Sequence, residues 1–183
     1  MQMSRILFVT ILYFAPTLVV ASALTATRNA EDEPVQLKIG DQAPSWEDLI
    51  GTDDQKHSLE DLKDQQVVVV CFTCNACPYA VDYEDRMIEF HKKFESRREG
   101  VALIAINANL KPTERLDKMK ERAKAKEFFF PYLMDESQQV AASYGANFTP
   151  EFFVLNKDRR IVYMGAMDDQ TAADKVEQRF VEL

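Results

Sequence analysis

Histidine is almost missing from this 183-residue chain, where His57 and His91 are the only two. Cysteine is scarce as well: Cys71, Cys74 and Cys77 are the whole set. The single CxxC, Cys74 to Cys77, therefore lacks the second CxxC or CxxH that would complete a four-ligand zinc site. His91 falls inside a charged and apolar helical pattern and reads as a boundary histidine. No metal and no cofactor is expected. Basic residues number 22 against 30 acidic ones, so the net charge is −8 and no basic patch argues for nucleic acid. No repeat or internal low-complexity segment divides the chain. Its length and 46 % hydrophobic content suit one ordinary domain with a real core.

The opening stretch, MQMSRILFVTILYFAPTLVVASA, stands apart from that domain. Arg5 gives a positive start, Ile6 to Val20 an apolar run, and Ala21-Ser22-Ala23 a small-x-small cleavage site. A membrane-spanning helix needs about 20 apolar residues, and this run is shorter and interrupted by Pro16. Residues 1–23 read as a signal peptide, with a retained membrane anchor as the alternative. No cysteine near the cut invites lipid attachment. The mature chain then begins near Leu24 in an exported, disulfide-permissive compartment. Residues 24–36 are polar and acidic and read as a flexible leader, leaving 37–183 as the domain.

Within the domain, Asp41, Pro44, Gly51 and Asp53-Asp54 punctuate loop and small-hairpin segments. Ser58 with Asp61 resembles a capping box for one helical turn through Leu62. Val67 to Phe72 is an unbroken apolar run, the pattern of a strand covered on both faces. Pro78 opens a helix whose stripe is Ala80, Tyr83, Met87, Phe90 and Phe94, and Gly100 follows it. VALIAIN, Val101 to Asn107, is a second buried strand, and Pro112 to Lys126 reads as a charged surface helix. FFFPYLM is extended, and Asp135 with Gln138 caps a short helix stopped by Gly145. PEFFVL and RIVYMG form a hairpin. TAADKVEQRFVEL suggests a last helix that the chain cuts short. Helices between buried strands predict an α/β fold with a central mixed sheet.

The spacing of Cys74 and Cys77 puts both sulfurs near the first turn of the helix that follows a buried strand. Free backbone N–H groups and the positive helix end are expected to stabilise a thiolate at Cys74. Cys77, one turn deeper, would then resolve a mixed disulfide. Cys71 lies within the apolar strand and reads as a small buried side chain.

From about Gly40 to Gly165 the chain resembles the thioredoxin superfamily, in its peroxiredoxin-like and TlpA/ResA-like redoxin branch. GDQAPSWEDLIG, FTCNACPY, INANLKPTE, FPYLMDESQQVAASYGA and FTPEFFVLNKDRRIVYMG carry the resemblance. It implies a thioredoxin-like fold, a redox-active Cys74–Cys77 disulfide, and a cis Pro150 packed against that pair. It further implies a substrate groove bordered by Thr149, Asn75 and Ala76, where a protein thiol or disulfide substrate adds its backbone like a strand. Two departures stand out. The strand before the pair, VVVVCF, holds no carboxylate to manage the resolving proton, and Glu151 is the geometric substitute. Ala76 stands where relatives often carry histidine.

The leading expectation is an exported thiol–disulfide oxidoreductase acting on protein thiols and disulfides. It is expected to be monomeric and served by an upstream redox partner, in a bacterial periplasm or cell envelope. A peroxiredoxin-like thiol peroxidase is the enzymatic alternative. It needs a threonine three residues before its cysteine and an arginine in the pocket, and Thr73 sits at the wrong spacing. A non-enzymatic alternative is a copper carrier or sensor using the thiols, with Met164 and Met167 as further ligands. The Asn147-Phe148-Thr149 sequon reads as coincidental, in keeping with a bacterial host.

Overall fold

A computed structural model describes residues 36–97 and 100–181. The signal peptide expected over 1–23 and all but the last residue of the expected leader lie outside the described residues. Among the described residues no helix is long and apolar enough to cross a membrane.

The chain runs β1 (Leu49–Gly51), β2 (Lys56–His57), β3 (Val67–Phe72), α1 (Pro78–Arg97), β4 (Val101–Asn107), α2 (Leu116–Lys126), β5 (Tyr132–Met134), α3 (Gln139–Tyr144), β6 (Glu151–Leu155) and β7 (Ile161–Gly165). The strands form one seven-stranded sheet ordered β2-β1-β5-β4-β3-β6-β7. β3, β4 and β5 run parallel, joined through α1 and α2, while β6 and β1 flank them antiparallel. This is the α/β fold with a mixed sheet that the alternation of helices and strands implied.

Side-chain alternation sorts the central strands into two core layers. Val69, Cys71, Leu103, Ala105, Phe152 and Val154 face Tyr83, Met87, Phe90 and Phe94 of α1 and Met119 of α2. Val68, Val70, Phe72, Ile104, Ile106 and Phe153 pack instead with Trp46, Leu59, Val140 and Tyr144. Burial on both faces explains why β3 and β4 read as unbroken apolar runs. Cys71 is the small core residue its position suggested, fully buried with its sulfur 3.9 Å from that of Met87.

Two expected helices differ. The segment from Pro112 to Lys126 is not one helix: Pro112–Glu114 is a 3-10 turn, and Arg115 is extended (ψ 159°) before α2 starts. That break turns Glu114 into the interior, where it is fully buried. The expected C-terminal helix is only a 3-10 turn, Ala173–Lys175. Its few apolar positions give a helix no core-facing stripe. Instead, Asp169 Oδ1 accepts the amides of Glu177 and Gln178, each at 3.1 Å, and Met167 O accepts those of Phe180 and Val181. This returning strap is anchored on α1 by a buried ion pair, Arg86 to Asp168 at 2.6 Å, and Arg86 also donates to Gln170 O at 2.8 Å.

Candidate active site

Parallel strands place their carboxyl ends together, and the chain leaves β3 and β4 at the same edge. Thr73 is still tied to that edge through its amide, which donates to Ile106 O at 2.9 Å. Residues 74–77 then bridge from β3 to α1. Because α1 begins at Pro78, Cys77 is its N-terminal capping residue and Cys74 precedes the helix. All three cysteines are free thiols.

Opposite the pair, the loop into β6 brings Thr149 against both sulfurs. Thr149 Oγ1 lies 3.3 Å from Cys74 Sγ, and the Cys77 thiol donates to Thr149 O at 3.5 Å. The Thr149–Pro150 bond is cis and Pro150 is buried. Asn75 is half-buried at the site and Ala76 is exposed. A cleft of about 330 Å3 opens alongside, lined by Phe72, Thr73, Ile106, Asn109, Phe148 and Thr149. Tyr79 and Phe148 stand exposed around the pair, at 62 % and 58 %.

The thiols differ in a way the spacing did not foretell. Cys74, expected to carry the stabilised thiolate, is only 5 % exposed. Burial pushes its thiol up, outweighing the Thr149 hydroxyl and the Cys77 amide, and the nearby Glu114 and Cys77 charges push the same way. Cys77, expected to be the deeper of the two, is the more exposed. Partial burial raises its thiol, but the Ala80 amide, Thr149, the Tyr79 amide and the Cys74 thiol together bring it below the ordinary value. The reason is the helix start. With proline at the first helical position, the Tyr79 and Ala80 amides are the unpaired donors that face a capping side chain.

The amides of Asn75 and Ala76 have another partner, which sequence reasoning missed. Glu114 accepts from Asn75 N at 2.6 Å and from Ala76 N at 3.0 Å. Asn107, at the end of β4, donates to the same carboxylate at 3.0 Å, and its side-chain amide also reaches Tyr132 Oη at 3.2 Å. The Tyr132 hydroxyl donates to Asn75 Oδ1 at 3.0 Å, and burial pushes that phenol well above its usual range. Pro112 and the polar run around Glu114 suggested only a solvated helix, so no local signal marked it. Glu151 is buried beside Pro150, and burial raises its carboxyl despite the amide of Asn147 bound at 3.0 Å. Its contact is with that loop rather than with either thiol. Met164 and Met167 pack in opposite core layers.

The model of the AhpC/TSA family matches residues 39–164. The chain belongs to that family. The AhpC/TSA match spans the sheet from before β1 to β7, with both cysteines, Glu114 and Pro150 inside it. Thiol-disulfide oxidoreductase ResA of Bacillus anthracis is 28 % identical over 166 residues, covering 88 % of each chain. The crystal structure of a hypothetical protein from Sinorhizobium meliloti 1021 is 32 % identical, with a TM-score of 0.72 over 79 % of each chain. The thioredoxin domain of a thiol-disulfide oxidoreductase from Bacteroides vulgatus, 17 % identical, superposes with a TM-score of 0.60, covering 70 % of this chain and 89 % of its own. The fold is thus thioredoxin-like, within the redoxin branch of that superfamily.

Proposed function

We propose that this chain is an exported thiol–disulfide oxidoreductase whose Cys74 and Cys77 cycle between a dithiol and a mutual disulfide. The observation that carries the reading is the meeting of both sulfurs on Thr149, beside cis Pro150, at the start of α1. The chemistry named for the Bacillus anthracis relative, thiol-disulfide exchange, agrees with it.

In the reductive direction, a thiolate of the pair attacks one sulfur of a protein disulfide. The new S–S bond forms as the substrate's own breaks, and the departing thiolate takes a proton from water. The second thiol of the pair then loses its proton, attacks its neighbour and releases the other substrate thiol. The substrate gains two electrons and two protons, and the pair is left oxidised until an upstream dithiol reduces it. Oxidation of new thiols is the same sequence reversed. An extended substrate segment pairs its backbone beside Thr149, with its side chains against Tyr79 and Phe148.

The test is the equilibrium reduction potential of the pair, with thiol alkylation and intact mass of the mature chain. A reversible Cys74–Cys77 disulfide supports the reading. A potential near about −270 mV marks a reductase, and one near about −120 mV an oxidant. If the two cysteines never form a mutual disulfide, the reading fails. Rapid peroxide consumption by the reduced protein would favour the thiol peroxidase instead.

A further inference from the structure

We propose that Glu114, by gripping the Asn75 and Ala76 amides, is the positioning residue that makes Cys77 rather than Cys74 the thiol that enters exchange. This rests on the redox-pair reading above and adds the order of its two steps.

Three observations converge. First, access differs: Cys74 is 5 % exposed, whereas Cys77 is the more open thiol. Second, the N–H donors between strand and helix are divided. Those of Asn75 and Ala76, which follow Cys74 directly, are bound by the Glu114 carboxylate, while Cys77 directly precedes Pro78 at the start of α1, where the first helical amides lack intrahelical partners. A sulfur at the capping position of a 20-residue helix lies where the helix dipole favours an anion. Third, Glu114 is a buried acceptor held by Asn107 and by two backbone amides, so its position is fixed.

Among the described residues, the groups that act on Cys74 from the surrounding elements include Cys77 at the head of α1, Glu114 in the turn after β4, Tyr132 on β5, Cys71 on β3, and the Thr149 hydroxyl. None of them is a cation. A negative charge at Cys74 therefore meets burial and an existing carboxylate, whereas one at Cys77 meets amide donors. In the forward step, the Cys77 thiolate bonds to a substrate sulfur and expels the other as thiolate. Cys74 then loses its proton to water, attacks the Cys77 sulfur, and releases the second substrate thiol.

Glutamine at position 114 keeps the shape, removes the charge, and turns one acceptor into a donor facing an amide N–H. The experiment is brief alkylation of the fully reduced mature chain with iodoacetamide across pH, with Cys74 and Cys77 quantified separately by peptide mass, for wild type and Glu114→Gln. Thermal melts run alongside. Wild type is expected to label first at Cys77. In Glu114→Gln, labelling of Cys74 at pH 7 rises on the order of tenfold, the scale on which a nearby charge acts. A residue that only braced the loop would lower the melting temperature without moving the pH profile of Cys74.

First labelling at Cys74 in wild type overturns the order, and an unmoved Cys74 profile in a folded Glu114→Gln protein overturns the role of Glu114. Should Glu114→Gln fail to fold, Cys74→Ser and Cys77→Ser decide the order. Cys74→Ser must capture a thionitrobenzoate mixed disulfide from Ellman's reagent at least as fast as wild type, and Cys77→Ser must do so markedly more slowly. The reverse ranking refutes the proposal. Failure of the redox-pair reading looks different, since no mutual disulfide would then form in the wild-type chain whichever thiol labels first.

Discussion

Thr149 meets both sulfurs, Cys74 through its hydroxyl and Cys77 through its carbonyl, so the hydroxyl can be removed with a readable cost. Thr149→Val preserves shape and volume and deletes only the hydroxyl that lies 3.3 Å from Cys74 Sγ and also favours the Cys77 thiolate. A hydrogen bond to a charged group contributes about 1.5–3 kcal/mol, and a diffuse sulfur acceptor belongs at the low end. Taking about 1.5 kcal/mol, the thiolate fraction at pH 7 falls roughly tenfold. The less acidic thiolate is intrinsically more nucleophilic, with a Brønsted slope of about 0.4–0.5, which restores part of the loss. The net expectation is roughly a threefold slower reaction at pH 7, with the pH midpoint displaced upward. Stopped-flow reaction of the reduced protein with Ellman's reagent across pH measures both quantities. An unchanged midpoint, or a faster reaction at neutral pH, would refute the assignment of the hydroxyl as a donor to the thiolate.

Three further outcomes are expected. Ala76→His places a potential cation on an exposed position within the pair; it should raise the reduction potential by on the order of 30 mV, the equivalent of a tenfold shift in the exchange equilibrium, and an unchanged or lower value in a glutathione titration sinks the idea. Asp168→Ala leaves the buried Arg86 guanidinium without its counter-charge. That should cost about 3–5 kcal/mol and lower the melting temperature by roughly 10 °C for a chain of this size, whereas Arg86→Met with Asp168→Leu should recover most of the loss. Glu151 has its folded-state carboxyl raised by burial, so the folded protein holds more protons than the unfolded one. Stability from this group is then greatest below the unfolded carboxyl value and declines as pH rises through the folded one. Glu151→Gln should accordingly melt higher than wild type at pH 7 and show no such gain at pH 4, and a lower melting temperature at pH 7 would contradict the sign.

The elements that depend on nearest-neighbour pattern are legible in the amino-acid sequence. Val67–Phe72 and Val101–Asn107 are strands with the bounds their apolar runs suggested, and Pro78 starts α1 as its missing N–H allows. Ser58 and Asp61 form the expected cap, the Ser58 amide donating to the carboxylate at 2.7 Å. What the sequence hides depends on contacts far along the chain. Glu114 lies in a run of charged residues, and only the extended backbone at Arg115 and the neighbouring end of β4 turn it inward. The C-terminal strap is fixed by Asp168 and Asp169, whose partners Arg86, Glu177 and Gln178 no local period relates. The different settings of the two thiols escape the sequence for the same reason. The start at Pro78 already gives the capping place to Cys77, but the burial of Cys74 and the contacts of Thr149 and Glu114 around it come from segments far along the chain.

The site is built from two loops, each secured by a buried carboxylate. Glu114 holds the loop between β3 and α1 through Asn75 and Ala76, and Glu151 holds the loop before cis Pro150 through Asn147. Sheet register brings these anchors together. Phe72, the last residue of β3, pairs with Glu151 on β6, and it pairs on its other side with Ile106, next to Asn107. A single strand, β3, thus sets the separation of both anchors, and the thiols and Thr149 are suspended between them. Backbone amides satisfy both carboxylates, so neither anchor needs a basic residue beside the sulfurs. An arginine or lysine placed there would favour both thiolates alike. With anionic anchors instead, the helix N-terminus is the principal positive feature at the pair, and it acts on the cysteine that caps it.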